Sequence, residues 1–141
     1  MKIKGLILVA FMGLTAAHCG DQGNNVTASN GSGSSALNHY TAKLDWQSPL
    51  AARTPVSAKL TFLASNGLPA QSVSNIKFNP WMPSMGHGTS TADQRITAVS
   101  GTTNEFLVTG IFFSMGGDWE IQLTATVDGT TDQAAIAVSV P

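Results

Sequence analysis

The chain is predicted to be all-β: an immunoglobulin-like antiparallel β-sandwich of about seven strands, preceded by a signal segment and a flexible tether. Three observations lead there. Charged residues make up only 11% of the 141 residues and the remainder is rich in Thr, Ser, Ala and Val, a balance that suits strands better than helices. Residues 56–62 and 119–127 alternate apolar with polar, as a strand with one buried and one wet face must. Turn signals recur between the candidate strands, and no stretch has a helical period.

Taken in order, residues 1–18 have the layout of an export signal. Lys2 and Lys4 form a basic start, and Gly5 to Ala17 is an apolar run, shorter than the roughly 20 residues that a membrane-spanning helix needs. The run closes on Ala16-Ala17-His18-Cys19. Cys19 is the only cysteine, so it has no internal disulfide partner, and its place resembles that of the lipid-modified cysteine in bacterial lipoprotein signals. Ala16 and His18 depart from the usual Leu and small residue there; ordinary signal cleavage near Ala17 is the alternative. Leu14 to Cys19 is also similar to the segment around the catalytic histidine of trypsin-like proteases. No Gly-Asp-Ser-Gly nucleophile segment follows, and a triad is recognised by all its members.

Residues 19–38, rich in Gly, Ser and Asn with Val26 the one sizeable apolar residue before Leu37, are expected to be a tether too polar to fold. Anchored through a lipid on Cys19, this tether would hold the domain a few nanometres off a bacterial membrane. Asn25-Val26-Thr27 and Asn30-Gly31-Ser32 match the glycosylation pattern, which in such a composition arises by chance. Without Lys2 and Lys4 the chain keeps five basic against eight acidic residues, a net charge of −3, so no basic stripe is left for nucleic acid.

Residues 39–141 are expected to form the sandwich, with strands at 40–46, 56–62, 73–78, 94–99, 105–113, 119–127 and 133–140. Between them lie Ser65-Asn66-Gly67, Ser100-Gly101-Thr102, Met115-Gly116-Gly117-Asp118 and Asp128-Gly129 as turns. His39, beside the tether, reads as a solvated histidine.

The chemistry concentrates in Asn79-Pro80-Trp81-Met82-Pro83-Ser84-Met85-Gly86-His87-Gly88-Thr89. Its prolines and glycines predict a shaped loop rather than a strand. Thioether and imidazole suit Cu(I), and M-x-x-M-x-H lets one loop present all three groups. Strand parity brings a fourth: if the strand ending at Phe78 runs up, the next returns down and the one after climbs to deliver Met115 to the same end. Met82, Met85, His87 and Met115 are therefore the candidate Cu(I) ligands. Methionine also fills irregular gaps in cores, and Pro and Gly beside it can simply shape a turn.

Two segments, Met82-Pro83-Ser84-Met85-Gly86-His87-Gly88 and Phe113-Ser114-Met115-Gly116-Gly117-Asp118-Trp119, together resemble the YtkA-like domain family over roughly residues 40–140. The resemblance implies an immunoglobulin-like domain of an exported or membrane-attached bacterial protein and a connection with copper handling. Two functions compete: a Cu(I) chaperone or buffer that hands metal to a partner, and a metal-free envelope interaction module with an exposed apolar patch around Trp81 and Phe113. An enzyme is not expected, since two histidines and eight acids remain after export without a nucleophile, base and orienter among them.

Overall fold

The computed structural model describes residues 30–141, so the expected signal segment, Cys19 and the first part of the expected tether lie outside the described residues. Among the described residues nine strands occur: β1 (Gly31–Ser34), β2 (Tyr40–Trp46), β3 (Val56–Ala64), β4 (Val73–Met82), β5 (His87–Gly88), β6 (Arg95–Ala98), β7 (Glu105–Ile111), β8 (Gly117–Val127) and β9 (Thr130–Val140). They form two antiparallel sheets, in the orders β1-β2-β3-β7-β6 and β5-β4-β8-β9. The architecture is the expected sandwich. All seven expected strands are present, and the two additional ones, β1 and β5, are the shortest beside β6.

Alternation builds the core directly. On β8, Trp119, Ile121, Leu123, Ala125 and Val127 are buried; on β3, Val56, Ala58, Leu60 and Phe62 face them from the other sheet. Edge-on aromatic pairs fill the core, Tyr40 with Phe62 on neighbouring strands of one sheet at 5.5 Å and Phe113 with Trp119 of the other sheet at 5.3 Å between ring centroids.

Two expectations are corrected. The tether was expected to reach residue 38, yet Gly31–Ser34 pairs with Thr41–Leu44 of β2 and starts the folded part at Gly31 rather than His39. Glycine, which reads as linker, serves here as clearance: a Cβ on Gly31 would stand 2.6 Å from Ile136 Cγ2, and one on Gly33 would strike the Ala135 carbonyl of β9. The chain then seals that edge, Ala36 N–H donating to the Gln133 carbonyl at 2.7 Å.

The stretch from Asn79 was expected to leave the sheet, but β4 continues through Pro80 and Trp81 to Met82. Pro80 is tolerated because its carbonyl faces β5, accepting from Thr89 N–H at 3.4 Å. Its missing N–H lies on that side too, so no ladder bond to β8 is lost. A tight turn closes on the Met82 carbonyl, which accepts from Met85 N–H at 3.2 Å and Gly86 N–H at 3.0 Å, and His87 then pairs with Met82. The shaped loop is therefore the tip of a β-hairpin.

Strand directions define two ends. The lower end carries the β1–β2, β3–β4, β6–β7 and β8–β9 turns. The upper end carries the β2–β3, β4–β5 and β7–β8 connections, and β1 descends from it.

A buried carboxylate fastens the lower end. Asp132, 7% exposed, accepts from Leu37 N–H at 2.9 Å and from its neighbour Gln133 N–H at 2.8 Å. Burial alone would raise its pKa. Hydrogen bonds from Ser35, Gln133 and Leu37 and the charge of exposed His39 outweigh burial and hold it below 3.8. Tyr40 Oη donates to the Asp132 carbonyl at 3.1 Å, and its own pKa is pushed up to about 12, by burial first and the Asp132 charge second. A depressed carboxylate stabilises the fold above its unfolded pKa and loses that contribution as pH falls through its folded value. The stability difference between wild type and Asp132→Asn is thus expected not to fall between pH 7 and about pH 4.5 and to shrink as pH drops below about 4. Urea midpoints of both proteins across that range check it, and a difference independent of pH would exclude a charged role.

Candidate metal-binding end

At the upper end, β4 and β5 present Met82, Met85 and His87 on one hairpin, and the β7–β8 connection carries Met115. Parity brings these two segments together as expected. β5 does not disturb it, because β5 and β6 both run downward and form one descending leg divided between the sheets.

Trp119, the third residue of β8, links the parts. Its indole Nε1–H donates to the Met115 carbonyl at 3.0 Å, fixing the β7–β8 connection. Its ring meets the imidazole of His87 edge-on, 6.3 Å between centroids. Beneath it Phe113, wholly buried, packs on both Trp119 and Trp46. Arg53 secures the same connection from the β2–β3 loop, its N–H donating to the Phe113 carbonyl at 2.7 Å. Nothing in the sequence around Arg53 announces this contact.

The four candidate ligands do not share one environment. Met82, at the end of β4, is 3% exposed, and its methyl lies 3.3 Å from where a Cβ on Gly117 would be. Met85, at the hairpin tip, is 58% exposed, and Met115 is 37% exposed. His87 is half-buried between them in the chain, with Nδ1 3.3 Å from the Gly88 carbonyl. A carbonyl only accepts, so Nδ1 carries the proton and, in the neutral ring, Nε2 keeps the lone pair. One thioether is thus packed into the core, and two thioethers and an imidazole lone pair stand nearer solvent.

Among the described residues no group of three or more His, Cys, Asp or Glu side chains could hold a metal ion. A metal at this end would need the thioethers, which fit a soft monovalent ion better than Zn2+ or Mg2+. Phe113 is buried and Trp81 lies half-buried on the outer face of its sheet, so the two do not join into one exposed apolar patch; the exposed apolar groups here are Met85 and Met115.

A protein-family model described as YtkA-like matches residues 34–124. The match contains both methionine segments and runs from the last residue of β1 into β8. No curated protein matches the chain, and no solved structure does.

Proposed function

The chain belongs to the YtkA-like family, and from that premise we propose that it is an exported, lipid-anchored binding module that takes up Cu(I) at its upper end and passes it on. The observation that carries the reading is that Trp119 meets the His87 ring and bonds the Met115 carbonyl, joining the hairpin that carries Met85 and His87 to the connection that carries Met115. Neutral thioether and imidazole donors bind Cu(I) without releasing thiol protons, and donors near solvent can exchange metal with a partner. Met82, packed in the core, serves first as the anchor of the hairpin. A lipid on Cys19 would keep the module on the outer face of a bacterial membrane, close to a metal-delivery partner in the envelope.

The test is a Cu(I) titration of the protein under reducing conditions against a competing colorimetric chelator. Stoichiometric binding tighter than about 1 μM is expected, abolished by Met85→Leu combined with His87→Gln. Met85→Leu alone keeps the side-chain volume and should cost less than about 1.5 kcal/mol of stability, so lost binding would report lost ligation. Failure to compete with the chelator would leave a metal-free interaction module, whose exposed methionines suit an adaptable protein contact.

A further inference from the structure

The outer face of the β5-β4-β8-β9 sheet carries a groove of about 670 Å³ that no metal chemistry requires. Register fixes the rows of this face. Trp81 of β4 stands beside Glu120 of β8, Asn79 beside Gln122, and Lys77 beside Thr124. Across β9 these rows end on Ala137, Ala135 and Gln133, so small side chains lower the floor on that side. Ser34 and Ala36 wall the groove where β1 leaves the sheet edge.

The polar groups are pre-ordered rather than scattered. Asn79 Nδ2 donates to Gln122 Oε1 at 3.1 Å, and Gln122 Nε2 donates to Glu120 Oε1 at 3.5 Å. This relay fixes the direction of each amide and still leaves unused donors on the two amides and unused acceptors on all three side chains. Just beyond the groove's lining, beside Glu120 on the same face, stands the half-buried Trp81, its ring 3.3 Å from where a Cβ on Gly88 would be. At the other end Lys77 is exposed, and among the described residues it forms no ion pair. Lys77 and Trp81 are four residues apart on one strand, roughly 13 Å, long enough for more than one sugar ring.

From these features we infer that this face binds an acidic saccharide. Each sugar hydroxyl is both donor and acceptor, which a directed row of amides and a carboxylate matches. A flat aromatic surface takes the apolar face of a sugar ring, and the free ammonium takes a sugar carboxylate. An apolar peptide finds no matching surface here, and a single lysine is too little for nucleic acid.

Isothermal titration of the full chain with trigalacturonate, and with neutral maltotriose as control, tests the assignment. Saturable binding of trigalacturonate with Kd below about 1 mM is expected, weaker binding of maltotriose, and about tenfold loss with either Trp81→Ala or Lys77→Met. No saturable heat from trigalacturonate up to about 10 mM overturns the site. Equal affinity for the two sugars overturns the acidic class, and unchanged affinity in folded variants overturns the location. Should Trp81→Ala fail to fold, Asn79→Ala and Gln122→Ala on the outer face carry the same test with the same two outcomes.

Discussion

Truncating Phe113 to alanine is expected to lower the unfolding free energy by about 3–5 kcal/mol, the range for removing a fully buried aromatic ring. The site leaves little room to relax. Phe113 is wholly buried, with ring centroids of Trp119 5.3 Å and Trp46 6.0 Å away, so the lost ring leaves a cavity between two indoles, of which Trp119 is fixed by its own hydrogen bond. Trp119 is tied to the Met115 carbonyl and supports the His87 ring, so the cavity also loosens the supports of the candidate metal site. Urea denaturation measures the first effect, and the Cu(I) affinity of the still-folded variant measures the second. A loss below about 1.5 kcal/mol would mean that the upper end collapses onto the cavity and is less rigid than its packing indicates.

The second large effect is expected at Gly110. The β3–β7 register shifts between Val56 and Ala58, opposite Val108 and Ile111, so Thr109 and Gly110 form a bulge in β7 with Gly110 at φ 68. A Cβ there would strike the Asp93 carbonyl, whose carbon lies 2.9 Å away. Gly110→Ala therefore combines a left-handed backbone, about 1–2 kcal/mol, with a clash against main chain that cannot rotate away, about 1–3 kcal/mol. Gly101→Ala is the control, since φ is 82 there and nothing lies within 4 Å of the added methyl. The control should show only the backbone cost. Equal losses at the two positions would show that the segment carrying Asp93, between β5 and β6, yields without cost.

Much of this fold is legible in the sequence because strands declare themselves through alternation. The stretch Trp119 to Val127 is buried at every second residue, as its pattern requires. β1 is illegible for a physical reason: Gly31 and Gly33 contribute no side chain to the core, and their value is the close approach of backbone to β9, which no apolar pattern records. Pro80 misleads in the opposite way. A proline ends a strand only where its N–H is needed, and which side of β4 is needed depends on a neighbour far away in sequence. The meeting of the two methionine segments follows from strand parity alone. The division among their side chains does not: Met82 and Met85 look equivalent in M-x-x-M-x-H, and only the position of the turn puts one in the core and the other in solvent.

The direction of β1 fixes how the domain would face a membrane that carried it through Cys19. Because β1 descends from the upper end, Asn30 joins the domain at the level of Trp46, to whose N–H its Oδ1 is bonded at 3.3 Å. Ten residues, 20–29, separate it from Cys19, a reach of at most about 40 Å even when fully extended. With a lipid on Cys19, the module would hang by the same end that carries Met85, His87 and Met115. Those groups would then be turned toward the bilayer and within reach of a membrane-embedded donor or acceptor of the metal. The lower end, with Leu37 and Leu68, would point into the aqueous compartment.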